Sequence, residues 1–189
     1  MRVIAGRWRG LKLKAPPGDG LRPSSDRLRE TLFNILAHNP AFPPLAGGRV
    51  ADIFAGTGAV GIEALSRGAA HVAFLERDPR HLAVLRENLA RLRLPDPTRM
   101  ARVLKADARH PPPADRPFTI VYLDPPYGEG LIRPALEGLG RAGWIAADSL
   151  VIAETDAREE IALPAAWSVM DRRVTGRAAL HFLRPPAGG

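Results

Sequence analysis

The feature that most constrains the fold of this chain is a short apolar stretch that runs into a glycine-rich turn. Residues 49–54 are predicted to form a buried strand, and residues 59–67 beyond the turn are predicted to form a helix. Gly56, Gly58 and Gly61 fit the pattern G-x-G-x-x-G. Such glycines permit a tight turn, a close approach of the backbone to a ligand and close packing of the helix on the strand. The segment therefore predicts a nucleotide-type binding site at the end of a parallel strand.

A second apolar stretch supplies an acid at a matching distance. Residues 71–75 end at Glu76, which follows Gly56 by 20 residues. That spacing is expected of a carboxylate that binds the ribose hydroxyls of a nucleotide. The two features fit a nicotinamide or flavin nucleotide as well as S-adenosylmethionine, because each of these ligands carries an adenosine.

Strands and helices alternate from residue 49 onward, which is typical of a doubly wound α/β domain with a mostly parallel sheet. The predicted strands are residues 49–54, 71–76, 101–105, 118–123 and 149–154. The predicted helices are residues 26–38, which Ser24 or Ser25 can cap, and residues 59–67, 79–92 and 130–141. A closing antiparallel hairpin is predicted from residues 167–174 and 178–184 around Gly176.

The ends of the chain have a different composition from this alternating region. Residues 1–13 alternate loosely between apolar and polar side chains, and the loop that follows is rich in proline and glycine. We expect residues 1–23 to form a small basic β-hairpin arm with its loop, and residues 24–184 to form the main domain. Residues 185–189 are expected to be a flexible tail.

Asp52 distinguishes between the candidate cofactors. It lies inside the strand end, four residues before the first glycine, where a dinucleotide site normally carries only apolar residues. A buried carboxylate needs polar partners. An amino-acid cofactor supplies such a partner through its ammonium group, directly or through water. Asp52 therefore favours S-adenosylmethionine over a dinucleotide.

A second candidate site follows the strand at residues 118–123. There the chain continues as Asp124-Pro125-Pro126-Tyr127, and the two prolines fix the backbone and remove two amide donors. The result is a rigid group of a carboxylate and carbonyl acceptors beside an aromatic ring. Such a group suits a flat ring with an exocyclic amine, whose hydrogens the acceptors hold while the ring stacks on Tyr127.

Composition excludes several other classes of protein. The chain has no cysteine, so disulfides and thiolate–metal sites are excluded, and its five histidines show no metal-binding spacing. We therefore predict no metal site. No apolar run is long enough to span a bilayer, and early arginines interrupt any signal-peptide pattern. A cytoplasmic protein without a membrane partner is expected.

The positive charge is concentrated near the amino terminus. Residues 1–30 carry eight basic and three acidic side chains, a net charge of +5 within a total of +7. Such a cluster neutralises phosphates, and arginine planes also stack on bases. The candidate RNA-binding residues are Arg7, Trp8, Arg9, Lys12, Arg22, Arg27 and Arg29.

These motifs together resemble known families. Asp52 followed by Phe-Ala-Gly-Thr-Gly resembles the first motif of class I methyltransferases, and Asp124–Tyr127 resembles the signature of those that methylate exocyclic amines. Residues 4–13 and 21–34, taken with these motifs, closely resemble the RsmD family, although Ser24 and Ser25 stand where threonines are expected. That family consists of bacterial enzymes that methylate N2 of one guanine in 16S ribosomal RNA.

The resemblance implies a fold, a cofactor and a substrate. The fold is a Rossmann-like class I methyltransferase with a mostly parallel seven-stranded sheet and an antiparallel C-terminal hairpin. Gly56 and Gly58 would border the methionine part of S-adenosylmethionine, Glu76 would bind its ribose and Asp107 its adenine amine. The remaining cofactor contacts would come from Phe54, Ala55, Thr57, Arg77 and Ala108. The substrate would be 16S rRNA within the 30S subunit or an assembly intermediate, methylated by a monomeric enzyme.

Three other functions stay open at this point. An adenine-N6 methyltransferase acting on DNA or RNA would use the same cofactor and the same acceptors, and residues 4–34 are what argues against it. A non-catalytic ribosome assembly factor should have lost Asp52, the glycines or Asp124, and all of them are present. An oxidoreductase that uses NAD leaves Asp52 and the Asp124–Tyr127 motif unexplained.

Overall fold

The computed structural model describes residues 1–15 and 23–187, and a seven-stranded sheet runs through its centre. The strands are β1 (Arg49–Ile53), β2 (His71–Glu76), β3 (Ala101–Lys105), β4 (Ile120–Leu123), β5 (Leu150–Asp156), β6 (Ser168–Thr175) and β7 (Ala178–Arg184). The helices are α1 (Pro23–His38), α2 (Ala59–Ser66), α3 (Pro79–Leu92), α4 (Pro97–Met100) and α5 (Ile132–Arg141).

The order of strands in the sheet is β3-β2-β1-β4-β5-β7-β6. The first five strands are parallel, and β7 pairs antiparallel with both β5 and β6. The predicted mostly parallel sheet with an antiparallel hairpin is therefore confirmed. The direction of winding reverses between β1 and β4, and ligands of doubly wound sheets bind beyond the carboxyl ends of the strands at such a point.

Two apolar layers hold helices against the faces of the sheet. One face carries Phe74, Tyr122 and Ile152, and it packs against apolar side chains of α1, α2 and α3. The other face carries Val121 and Leu123, and it packs against α5 and its neighbouring loops. Strands buried on both faces read as continuous apolar runs in the sequence, and this explains why their positions could be predicted closely.

Residues 1–15, here called the N-terminal segment, lie on the main domain. An antiparallel bridge joins Arg2 to Lys12, and the amides of Val3 and Leu13 donate to the carbonyls of Leu11 and Met1 at 3.0 and 3.1 Å, so residues 1–13 fold back on themselves as a small hairpin. Val3 is buried, and the backbone amides of Ile4 and Ala5 donate to the buried carboxylate of Glu63 in α2 at 2.7 and 3.0 Å. Because its backbone is also bonded to α2, the hairpin is docked on the main domain.

Some element boundaries differ from those predicted. Helix α1 begins at Pro23, so Ser24 and Ser25 lie within its first turn and do not precede it; proline is well suited to that first turn. Helix α4 was not predicted, and Asp96 begins it by accepting from the backbone amide of Arg99 at 3.1 Å. Across the described residues, no helix combines the length and the apolar composition needed to cross a membrane.

Candidate active site

The two motifs found in the sequence meet at the carboxyl edge of the sheet. Ile53 of β1 pairs with Leu123 of β4, and the chain leaves the two strands as the glycine-rich turn and the Asp124–Tyr127 turn respectively. The backbone amide of Asp124 donates to the carbonyl of Ile53 at 3.3 Å, which continues the pairing by one residue. The fold thus brings two segments that are about 70 residues apart in the sequence side by side.

The glycine-rich turn combines a tight path with close packing. Phe54 has φ 61°, a conformation that is rare for a bulky side chain and that occurs preferentially at functional sites. A Cβ atom on Gly58 would lie 2.2 Å from Leu85, and one on Gly61 would lie 2.3 Å from the ring of Phe74. Gly56 is different, because a Cβ there would meet only the carbonyl oxygen of Phe54 at 3.9 Å. Space for a ligand therefore lies beside Gly56, while Gly58 and Gly61 are required by packing.

Ala55 and Thr57, two further predicted cofactor contacts, lie in the same turn. Ala55 is buried, and its amide donates to the carbonyl of Leu75 at 3.1 Å. The carbonyl of Thr57 accepts from the side-chain amide of Asn88 in α3 at 3.0 Å. Asn88 is fully buried and also exchanges hydrogen bonds with the backbone of Lys14, so it joins the turn to the N-terminal segment. The sequence analysis missed Asn88, although a polar residue within the apolar stripe of α3 is a visible signal.

Asp52 lies beneath the turn and is 2% exposed. Its Oδ2 accepts from the backbone amide of Gly61 at 2.8 Å, which ties β1 to the first turn of α2. Burial raises the pKa of Asp52 to about 7, the negative charge of Glu76 adds to the rise, and the hydrogen bond from Gly61 opposes it. The protein thus supplies a first partner for the carboxylate, and a cationic ligand would favour its ionised form.

Glu76 connects the end of β2 to the same turn. Its carboxylate accepts from the backbone amides of Gly56 at 2.8 Å, Arg77 at 2.7 Å and Asp78 at 2.8 Å. Three donors fix the orientation of this buried carboxylate at the carboxyl edge of the sheet. A residue that the sequence predicts to bind ribose therefore also shapes the glycine-rich turn.

Asp107 follows β3 and is held by Arg109. The guanidinium of Arg109 donates to both carboxylate oxygens at 2.6 and 3.0 Å, and these bonds hold the pKa of Asp107 well below its ordinary value. No helix begins at Asp107, so it does not act as a helix cap. Arg77 is exposed with Nη1 3.9 Å from Asp107 Oδ2, whereas the side chain of Ala108 is buried in the core.

The Asp124–Tyr127 turn is partly exposed at the carboxyl edge of the sheet. Asp124 and Pro126 are exposed, Pro125 is buried and Tyr127 is half-buried. The hydroxyl of Tyr127 donates to Oε1 of Glu154 at 2.5 Å, and the hydroxyl of the buried Tyr122 donates to the other oxygen of the same carboxylate. The sequence analysis missed Glu154. The sequence does contain an indication of its importance, because Glu154, like Asp52, is a carboxylate near the end of an apolar strand.

The candidate RNA-binding residues do not all reach the surface. Arg7, Arg9, Lys12 and Arg27 are exposed, and the guanidinium of Arg7 lies 5.2 Å from the ring centre of the half-buried Trp8. Arg22 lies outside the described residues.

Arg29 requires a correction, because its side chain is only 3% exposed. Its Nη2 donates to the carbonyl of Arg2 at 2.5 Å and to Asp26 Oδ1 at 3.0 Å. Buried in this way, the guanidinium holds the N-terminal segment against α1 and has no free face for RNA.

The exposed turn of the N-terminal segment lies away from the two motifs. The backbone amide of Arg7 donates to the carbonyl of Ser66, and the amide of Trp8 donates to the hydroxyl of Ser66, at 2.8 and 3.0 Å. Ser66 is the last residue of α2, whereas the glycine-rich turn precedes the first. Eight helical residues span about 12 Å. This exposed turn, which carries Arg7 and Arg9 and is here called the basic turn, is thus a separate patch from the candidate active site, and α2 connects the two.

Comparison with known proteins identifies the family. A family model described as Conserved hypothetical protein 95 matches residues 1–184. The chain belongs to that family, the RsmD family. Within the parts of the RsmD-family chain that the structure describes, no group of three or more histidine and acidic side chains is arranged to hold a metal ion.

Two relatives of this RsmD-family chain show how far the similarity extends. The Ribosomal RNA small subunit methyltransferase D of Escherichia coli is 38% identical over 191 residues, which cover 100% of this chain and 92% of that protein. The protein of the same name from Haemophilus influenzae is 36% identical over 179 residues, which cover 93% of this chain and 89% of that protein.

Solved structures confirm the fold of this RsmD-family chain. The yhhF protein of Escherichia coli is 37% identical and superposes with a TM-score of 0.81, covering 100% of this chain and 99% of that one. The rRNA methyltransferase aviRa of Streptomyces viridochromogenes is 17% identical with a TM-score of 0.67, covering 91% of this chain and 88% of that one. At that identity the likeness shows the fold alone. The fold is thus the Rossmann-like methyltransferase fold.

Proposed function

We propose that this protein transfers a methyl group from S-adenosylmethionine to the exocyclic N2 of a guanine in 16S rRNA. The observation that carries the proposal is the meeting of the glycine-rich turn and the Asp124–Tyr127 turn at the ends of two paired strands. One turn is suited to a cofactor and the other to a base. The names of the Escherichia coli and Haemophilus influenzae relatives support an rRNA substrate.

The residues present fit S-adenosylmethionine by their chemistry. Asp52, Glu76 and Asp107 place carboxylates at the ends of three neighbouring strands, and open space adjoins Gly56. These acceptors match an ammonium, a ribose diol and an adenine amine, and we assign them to those groups in that order. Phe54, Thr57 and Arg77 are assigned to the lining of the same site. When bound, the cofactor supplies a methyl group activated by a sulfonium.

Asp124 and Pro125 are assigned to the amine of the target base. A guanine amine is a poor nucleophile because its lone pair is delocalised into the ring. The Asp124 carboxylate and the Pro125 carbonyl can each accept one amine hydrogen, and Pro126 has no N–H to compete for them. Holding both hydrogens favours a pyramidal nitrogen with its lone pair directed toward the methyl group. Positioning and fixed charge then account for most of the rate.

The acceptors suit the exocyclic amine of either guanine or adenine, and the resemblance of residues 4–34 to the RsmD family is what favours guanine. Asp124 is exposed and therefore accessible to a base that has left its stack. We assign Tyr127 to stacking on that base, a contact worth about 1–3 kcal/mol.

A transfer assay with labelled methyl groups tests the proposal. The substrates are 30S particles that lack the modification, naked 16S RNA and duplex DNA, and the methylated nucleoside is identified by mass spectrometry. We expect N2-methylguanosine, formed on assembled or partly assembled particles by a monomeric enzyme. N6-methyladenine would overturn the choice of base and keep the cofactor. Bound cofactor without transfer to any substrate would instead favour a non-catalytic assembly factor.

A further inference from the structure

One carboxylate fastens the Asp124–Tyr127 turn at two points. Glu154 lies in β5 and is 8% exposed. One of its oxygens accepts from the hydroxyl of Tyr122 and the other from the hydroxyl of Tyr127. Tyr122 precedes Asp124 by two residues and Tyr127 follows it by three. The two bonds therefore bracket Asp124 along the chain.

The chemistry of the two tyrosines makes this arrangement stable. Hydrogen bonds to an ionised carboxylate are shorter and about twice as strong as those between neutral groups. Burial raises the pKa of Tyr122 well above its ordinary value, and the charge of Glu154 raises it further. The phenol of Tyr122 therefore stays protonated and remains a donor to Glu154 at physiological pH.

The chain beyond Tyr127 does little to hold that residue in place. Gly128, Glu129 and Gly130 are exposed, and no heavy atom lies within 4 Å of the Cβ position at either glycine. Gly128 and Gly130 have φ of 75° and 62°, values that only glycine adopts at little cost. The Gly128 amide donates to Glu159 at 3.3 Å, which is long for such a bond. An aromatic ring at the start of so exposed a stretch needs an anchor if it is to hold a fixed orientation.

We infer that Glu154 is a positioning residue, which holds the hydroxyl of Tyr127 so that the ring stands as a fixed wall for the target base beside Asp124. The inference rests on the proposed function, because it takes Tyr127 as the residue that stacks on the base. Glu154 itself touches neither base nor cofactor in this account. Its effect on the reaction passes through Tyr127.

A double-mutant cycle in the transfer assay tests this inference. The variants are Glu154→Leu, which removes both acceptor oxygens, Tyr127→Phe and the combination of the two, with 30S particles as the substrate. Each single variant should lower kcat/KM for particles by between about tenfold and a hundredfold, the cost of a misplaced group near the reacting atoms. The combination should be no worse than the Glu154 variant alone, because that variant already removes the bond to Tyr127. The affinity for S-adenosylmethionine should not change.

Asp156→Asn is the matched control, because it also neutralises a carboxylate of β5. Asp156 pairs with Arg158 and Arg177 at 3.3 and 3.5 Å. Its kcat/KM should equal that of the wild type. If Glu154→Leu does not fold, Tyr127→Phe decides alone, since it keeps the ring and loses only the hydroxyl. An unchanged kcat/KM for Tyr127→Phe would overturn the inference.

Two further results would separate the inference from the proposed function. Losses that multiply in the combined variant, or an equal loss of cofactor affinity, would mean that Glu154 does not act through Tyr127. Those results would contradict the role inferred for Glu154 and leave the methyltransferase proposal unaffected. A wild-type protein that transfers no methyl group to particles would contradict both the role of Glu154 and the proposed function.

Discussion

At the scale of single residues, the carboxyl group of Asp52 makes the stability of the fold depend on pH. Its pKa is about 7 in the folded protein against an ordinary value of 3.8, so the folded state binds the proton more tightly than the unfolded state. The stability that this group contributes is complete below about pH 4 and is lost as the pH rises to about 7, a change of about 4 kcal/mol.

Asp52→Asn removes that dependence and keeps an acceptor for the amide of Gly61. The unfolding free energy of the variant minus that of the wild type should grow by about 1.4 kcal/mol per pH unit between about pH 5 and pH 7. It should then level off. Urea unfolding of both proteins across this range measures the difference. A difference that does not vary with pH would show that Asp52 is ionised throughout.

Asp124 allows a prediction about activity, because it is exposed at the carboxyl edge of the sheet. Asp124→Ala should lower methyl transfer by at least about a hundredfold, since the amine would lose one of its two acceptors. Calorimetry should show cofactor binding within a few-fold of the wild type. Asp148→Ala removes an exposed carboxylate before β5, at the opposite edge of the sheet, and should change neither quantity. Equal loss of transfer and cofactor binding would instead assign Asp124 a structural role.

At the scale of elements, the docking of the N-terminal segment on α2 depends on a close approach at Gly6. Gly6 and Gly10 have nearly the same backbone conformation, with φ of 82° and 85°. A Cβ on Gly6 would lie 1.9 Å from the carbonyl oxygen of Ser66, whereas nothing lies within 4 Å of the same position at Gly10. Comparing substitutions at Gly6 and Gly10 therefore separates the energetic cost of the left-handed backbone from the cost of a clash with Ser66.

Gly10→Ala should lose about 1 kcal/mol of unfolding free energy, the cost of a left-handed alanine. Gly6→Ala should lose about 1–3 kcal/mol more, because the segment must move away from Ser66. Urea unfolding measures both losses, and faster exchange of the Arg7 amide would report that its bond to Ser66 has broken. If the two variants lose equal stability, the segment is not held against α2 in solution.

The helices and strands also show which features of the structure can be predicted from the sequence. The bounds of β2, β3 and α3 agree with prediction, because continuous apolar runs and a 3.6-residue period are local signals. The partners of Glu154, Asn88 and Arg29 were not predictable in this way. Tyr122 is 32 residues from Glu154, and Lys14 is 74 residues from Asn88. Local pattern cannot distinguish an exposed arginine from Arg29, whose burial depends on residues across the fold.

At the scale of the whole molecule, the basic turn and the candidate active site lie at opposite ends of α2. A substrate that reaches both must be extended, as folded RNA is, and its phosphates should contact Arg7 and Arg9. Arg7 and Arg9 changed together to Ala should therefore weaken binding to 16S rRNA. The dependence of log affinity on log salt should also become shallower by about 0.7–0.9 for each phosphate that the variant no longer neutralises.

Binding measured over a series of potassium chloride concentrations tests this prediction. The control changes Arg116 and Arg141 to Ala, which removes the same charge near the amino-terminal edge of the sheet. That control should leave the salt dependence as in the wild type. An equal change in both double variants would mean that total charge, rather than the basic turn, governs the affinity.

The position of β7 has a consequence for how the chain reaches this fold. β7 is the last of the seven strands along the chain, yet it lies between β5 and β6. Until it pairs, β5 presents an open apolar edge and β6 has no neighbour in the sheet. Open edges of this kind act as templates for other chains. We therefore expect the newly made protein to be prone to aggregation in the interval between synthesis of β5 and arrival of β7.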